Sequence, residues 1–161
     1  MIAAGCGSSG HKASTTIASR LIADPAGVTV IRAWSNALRR GDVNGAARFF
    51  ALPSEFINGP DEALAIHTEA EARAANATLP CGAQLISAVR RGRFISALFR
   101  LTNRPGPDGG CGSGAGQLAR TNVVIVDGRI LAWIRAPEVS GGGVSPLPTT
   151  PSNTQTTGPV A

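Results

Sequence analysis

The sequence predicts an α+β fold, with three N-terminal helices covering one face of a curved antiparallel sheet. Three observations predict it. Apolar residues recur at helical spacing between Asp24 and Gly41. After Pro80 the apolar period changes from 3.6 to 2. Near the end, two β-rich runs meet at Asp127-Gly128, a strong type I′ hairpin signal.

The elements follow in order. "DPAGVTVIRAWSNALRRGD" is an amphipathic helix, with Asp24 as its cap and Pro25 at its first position. Val30, Ile31, Trp34, Ala37 and Leu38 form its apolar stripe. Arg39 and Arg40 suit the negative end of the helix dipole, and Gly41 stops it. "DVNGAARFFAL" predicts a second short helix, capped by Asp42, closed by Pro53 and turning Val43, Ala46, Ala47 and Phe50 inward. "SEFIN" and "ALAIH" are short strands on either side of a turn at "GPDE". Thr68 and Glu71 form a capping box at the start of "TEAEARAANATL", the third helix. "AQLISAVRRG" and "RFISALFRLTNR" are strands joined near Gly92. In the second of them Ile95, Ala97, Phe99 and Leu101 share one face, and Phe94, Ser96, Leu98, Arg100 and Thr102 the other. After the Gly/Pro loop "RPGPDGGCGSG", the closing hairpin is "AGQLARTNVVIVDGRILAWIRAP".

The chain of 161 residues is long enough for one domain. Residues 1–23 form a small-residue and polar N-terminal segment, and residues 138–161 a Gly/Pro/Ser/Thr-rich tail. Both bury too little apolar surface to offset the entropy of ordering. The domain is therefore assigned to residues 24–137. Formal net charge is +5, and Lys12 is the single lysine, so arginine carries the positive charge. With abundant Ala and Gly, that bias reflects a GC-rich coding genome more than nucleic-acid binding. No run of about 18 apolar residues marks a membrane span.

Three cysteines set the compartment question. Cys81 and Cys111 each follow turn residues and introduce a strand. In an oxidising compartment they are natural partners. A bridge closing about 30 residues would stabilise the fold by roughly 3–4 kcal/mol in the chain-entropy model. The alternative is two unrelated buried thiols. Neither has a Cys or His at zinc-site spacing, so no metal is expected. "Ala3-Ala4-Gly5-Cys6" resembles a bacterial lipobox, in which the cysteine receives diacylglycerol. The Gly/Ser/Thr stretch behind it would be the tether. No apolar h-region precedes it, so a longer signal sequence is expected upstream. The alternative is that Cys6 is a terminal thiol. The resulting expectation is an extracytoplasmic protein whose contact with the membrane is its lipid anchor.

"VIRAWSNALRRGDVNGAARFFA", "RFISALFRLT" and "TNVVIVDGRILAWIRAP" together resemble the nuclear transport factor 2-like superfamily, in particular its SnoaL-like branch. The helix–Gly-Asp–helix start and the Asp-Gly-Arg-Ile ending followed by Trp133 carry the likeness, which covers residues 25–137. It implies a cone in which the sheet curls around the helices and leaves an apolar pocket, a default ligand site. The implied lining includes Trp34, Phe49, Phe50, Phe56, Asn58, Phe94, Leu98, Arg120 and Trp133. The plainer alternative is that the aromatic residues fill the core. Members of the superfamily include isomerases, dehydratases and cyclases, and many proteins that only bind or dimerise.

Steroid isomerases of this fold use a carboxylate base and tyrosine and protonated-aspartate donors. This chain has no tyrosine. The resemblance puts Trp34 at the first-helix donor position and Glu55 or Asn58 on the strand that would carry the base. His67, at the end of a short strand, is the other candidate for proton transfer. The plainer reading of His67 is a backbone hydrogen bond, and Glu55 can equally point outward. Arg120 is a polar position within an apolar strand. Facing inward it would hold an anionic ligand; facing outward it is solvated. Arg90, Arg91, Arg93, Arg100 and Arg104 form a basic cluster beside Phe94 and Phe99. Lipid headgroups or envelope polymers are the better match for it in an exported protein, and an ordinary charged strand face better still. Asn76-Ala77-Thr78 matches a glycosylation sequon.

The expected function is a lipid-anchored cone domain that binds a small apolar ligand or a protein partner. It would use no cofactor, bind no nucleic acid, and be able to pair as a homodimer through its outer sheet face. The competing readings are a SnoaL-like isomerase or hydrolase using His67 or Glu55, and a dimeric structural module.

Overall fold

The computed structural model describes residues 23–60 and 63–137. Cys6, the rest of the N-terminal segment up to residue 22, and the tail from residue 138 lie outside the described residues. No described helix is long and apolar enough to cross a membrane.

Helix α1, Pro25–Arg39, starts as its sequence requires. Asp24 Oδ2 accepts from Gly27 N at 3.1 Å, and Pro25 occupies the first turn, where a missing N–H costs nothing. Ile31, Trp34, Ser35 and Leu38 are its buried face. Gly41 ends it at φ +76°, where a Cβ would stand 2.5 Å from Pro105 O, so both conformation and space demand glycine. Helix α2, Val43–Ala47, is capped by Asp42, whose Oδ1 accepts from Gly45 N at 2.8 Å.

The expected extension of α2 to Leu52 does not occur. Strand β1, Phe50–Ile57, begins at once, so Phe50 enters the core from a strand and not from a helix. Pairing on both edges decides this. β1 runs antiparallel to β2, Ala63–Ile66, and parallel to β6, Arg129–Arg135. Pro53, which cannot donate to a ladder, falls within the register irregularity between Phe50 and Glu55.

Helix α3, Glu69–Ala77, carries the complete capping box: Glu71 N donates to Thr68 Oγ1, and Thr68 N donates to Glu71 Oε2. Then come β3, Gly82–Arg91, β4, Phe94–Thr102, and β5, Leu118–Val126, which with β6 make the four-strand antiparallel meander. Asp127 and Gly128 both have positive φ, as a type I′ turn requires.

The six strands form one sheet in the order β2-β1-β6-β5-β4-β3. Every neighbouring pair is antiparallel except β1 with β6. Irregularities at Phe50/Glu55, Leu85/Ser87 and Val124/Ile125 bend strands and add twist, which curves the sheet without closing it. α1 lies against β3 and β4, and α2 bridges α1 and α3. The core between helices and sheet is a row of rings. Phe56 stacks on Trp133 with centroids 4.4 Å apart, Trp133 lies 6.0 Å from Trp34, and Trp34 meets Phe99 edge-on at 6.0 Å.

Candidate functional site

A cavity of about 310 Å³ lies at the end of the sheet where β4 finishes and β5 begins. Trp34 and Leu38 of α1 form one wall. Leu79, Pro80 and Cys81, which lead from α3 into β3, form a second. The sheet supplies Ala83, Phe99, Leu101, Thr121, Trp133 and Arg135, and Asn58 stands just beyond β1. Gly114 and Gln117 close the rim from the Gly-rich loop between β4 and β5.

That loop is built as a wall. Cys81 and Cys111 form a disulfide across a separation of 30 residues. Cys111 N donates to Asn103 Oδ1 at 3.3 Å, and Gly110 N to Pro80 O at 3.1 Å. Arg104 is buried and donates to the carbonyls of Leu79, Ala77 and Asp108 at 2.8–3.1 Å. It therefore stands apart from the basic cluster to which its sequence position assigned it. Two of the three carbonyls, Ala77 and Leu79, lie at and just beyond the C-terminal end of α3, where a cation is favourable, and the third, Asp108, comes from the β4–β5 loop.

Trp34, Asn58, Arg120 and Trp133, four residues expected in the lining, line this cavity. Phe56 lies behind it, stacked under Trp133. Phe50 sits beneath a shallow depression shared with Arg48, Glu69 and Arg129. Phe94 alternates with buried Ile95 and stands half-buried under the Arg93 guanidinium, 4.8 Å from the ring centroid. Leu98, on the same face as Phe94, is half-buried, and Phe49 packs at the core margin. Arg120 contributes to the rim, but its Nη1 donates to Ser96 Oγ at 3.4 Å. It pairs with Leu98 while Thr121 pairs with Ala97, so its side chain and that of Thr121 take opposite faces.

His67 and Glu55 are exposed, and neither lines the cavity. His67 N donates to Glu71 Oε2 at 2.7 Å, making it part of the α3 cap. Glu55 pairs with Ala132 on one side and Ala65 on the other, on the strand face opposite buried Ser54 and Phe56. Asn76 of the sequon is fully buried, so a glycan has no access to it.

The polar groups of the cavity wall divide into two kinds. Trp34 Nε1 is committed, donating to Asn76 Oδ1 at 2.8 Å. Trp133 Nε1 and Thr121 Oγ1 are buried and have no hydrogen-bond partner. Among the described lining residues there is no Asp, Glu, His or Lys, and Cys81 is oxidised. No described group of His, Cys, Asp and Glu residues is placed to hold a metal ion. Sequence reasoning missed Thr121, Arg135, Leu101 and Gln117. The signal for the first two was present: Arg135 lies two positions from Trp133, and Thr121 faces it in register.

The fold and cavity define a small α+β cone protein with a ligand-sized apolar hollow. No sequence-family model matches the chain, and no curated protein sequence does. Solved structures do. A SnoaL-like protein of unknown function from Burkholderia thailandensis superposes at a TM-score of 0.51 with 17% identity, over 71% of this chain and 97% of its own. An NTF2-like protein of unknown function from Burkholderia pseudomallei gives 0.51 and 16%, over 71% and 92%. A candidate ketosteroid isomerase from Kribbella flavida gives 0.50 and 15%, over 83% and 96%. The fold of this chain is the NTF2-like cone that these structures share.

Proposed function

We propose that this chain is an exported, lipid-anchored SnoaL-like domain that binds a small apolar ligand in its cavity. One observation carries the binding reading: a ligand-sized hollow whose described walls are mainly aromatic and aliphatic, with Asn58, Gln117, Arg120, Thr121 and Arg135 among them and no Asp, Glu, His or Lys. Trp133 Nε1 and Thr121 Oγ1 offer such a ligand a donor and a hydroxyl. The placement of His67 and Glu55 away from the cavity favours binding over the isomerase reading. The Cys81–Cys111 bridge supports export, because disulfides persist in oxidising compartments, and it leaves Cys6 as the one cysteine for acylation.

Fluorescence tests the binding reading directly, because Trp34 and Trp133 are the two tryptophans of the chain and both line the cavity. Titration with small aromatic compounds should shift the emission and saturate at one equivalent. An emission indifferent to every such compound, with the protein folded, overturns it. Intact mass spectrometry of protein taken from membranes tests the anchor: cleavage before Cys6 with added acyl chains is expected, and an unmodified chain refutes it.

A second reading has its own support. Ile57 and Ile134 pair on the outer face of the sheet, and Val124 pairs with Ala132 beside them. This half-buried apolar strip fits a homodimer contact. Sedimentation equilibrium distinguishes the dimer from a monomer.

A further inference from the structure

We propose that the tip of the β3–β4 hairpin is a docking surface for an anionic lipid bilayer. Arg90, Arg91 and Arg93 stand exposed around Gly92. None of them forms an ion pair with a described residue. Arg90 Nε donates only to Gly92 O at 3.2 Å, and Arg93 lies over Phe94, whose ring gives the tip an apolar shoulder. Among the described acids at this end of the sheet, Glu69 lies beside Arg129 and within 3.8 Å of Arg48 Nε. Asp24 is engaged in capping α1, and Asp127 sits on the neighbouring β5–β6 turn.

The chain enters the domain at this same end. A Cβ on Gly27 would meet Ile95 Cδ1 at 2.5 Å and Ile125 Cγ1 at 3.6 Å, so α1 begins over the hairpin end of β4 and β5. The first described residues, Ala23 and Asp24, therefore lie at the same end of the sheet as the three arginines.

The cavity opens at the opposite end, among Leu101, Leu118 and Arg135. The ten residues of β3 separate the two ends by roughly 30 Å at about 3.3 Å per residue. A domain docked by its arginine tip therefore presents the cavity mouth to solvent. A bilayer fits this surface better than a nucleic acid does. The patch is the end of one hairpin, not a groove, and its aromatic face is already covered by Arg93. The proposal stands whether or not Cys6 is acylated and does not depend on ligand binding in the cavity.

The test uses the full chain with Cys6→Ser, so that no acyl chain contributes, and vesicles of phosphatidylcholine with and without phosphatidylglycerol. Binding is expected only with phosphatidylglycerol and should collapse at high salt. Each arginine near such a surface is worth about fivefold in affinity, so Arg90→Gln/Arg91→Gln/Arg93→Gln should lose roughly 100-fold. Its thermal unfolding should match that of the parent. The exposed pair Arg39→Gln/Arg40→Gln, at the cavity end of α1, should leave vesicle binding intact. Equal binding to both vesicle types overturns the proposal. So does a triple variant that binds normally, or a DNA duplex that binds as tightly as the anionic vesicles.

Discussion

Trp34 Nε1 donates a 2.8 Å hydrogen bond to Asn76 Oδ1, and both residues are buried. The bond joins the middle of α1 to the last turn of α3, and Asn76 Nδ2 closes the arrangement on Ala72 O at 2.8 Å. It fixes the orientation of an indole that forms one wall of the cavity. Removing one partner strands the other in a buried position. Asn76→Ala should therefore cost about 2–3 kcal/mol, from an unsatisfied indole N–H plus the space left behind. Trp34→Phe should cost a similar amount. The double variant should cost less than the sum by about 1 kcal/mol or more, because the second change removes the stranded group. Urea unfolding of the four proteins measures this cycle, and strict additivity would refute the coupling.

Arg104 carries the next prediction. Its guanidinium reaches three carbonyl oxygens and no carboxylate. The fork geometry matters, since Nε serves Leu79 while Nη2 serves Ala77 and Asp108. Arg104→Met keeps the apolar stem and loses all three bonds, so a loss of about 3 kcal/mol is expected. Arg104→Lys should recover less than half of it, because one ammonium cannot match a planar fork. Chemical denaturation of both variants reads the difference.

Helix starts were legible in the sequence because they are local. Asp24 with Gly27, Asp42 with Gly45, and Thr68 with Glu71 each bond within three residues, so spacing alone exposes them. The closing hairpin was legible for the same reason. The end of α2 was not: "GAARFF" is compatible with helix locally, and its true partner is β6, far along the chain. Phe94 stands outside the cavity lining, on the strand face that alternation with Ile95 gives it. Trp34, Asn58 and Trp133 were found as lining residues. Gln117 was not, because a Gly-rich loop tied down by Arg104 and a disulfide has no periodicity from which to read its packing; Leu101 lies in β4 on the alternation face of Phe99, so its place was legible.

The disulfide adds a covalent tie to a loop held otherwise by backbone hydrogen bonds, Asn103 and Arg104. Between Gly109 and Gly116 five of eight residues are glycine, and the others beside Cys111 are Ser113 and Ala115. Such a chain is costly to order, and few side chains anchor it. Cys81→Ser/Cys111→Ser should lower stability by about 3–4 kcal/mol in the chain-entropy model. Amide exchange should then rise first in residues 109–117, ahead of the sheet, because the rim opens as a local unit. Uniform acceleration across β4 and β5 would show that the bridge stabilises the fold globally and not the rim.

Acid should loosen the start of α3 before the sheet. The Glu71 carboxylate accepts from the backbone N–H of His67 at 2.7 Å and of Thr68 at 3.0 Å, and these bonds hold its pKa below the usual carboxylate value of 4.5. A depressed folded-state pKa contributes stability above the unfolded-state value and loses it as pH falls through the folded one. The contribution is thus complete at neutral pH, starts to fade as pH falls to about 4.5 and is lost as pH falls through the lower folded-state value. Because the group is exposed, the effect is modest and local. Glu71→Gln keeps a side chain able to close the capping box but has no proton to gain. Its stability relative to the parent should therefore stay level near neutral pH and improve as pH falls below about 4.5. Parallel acid limbs in urea unfolding of the two proteins would show that Glu71 bears no part of the acid sensitivity.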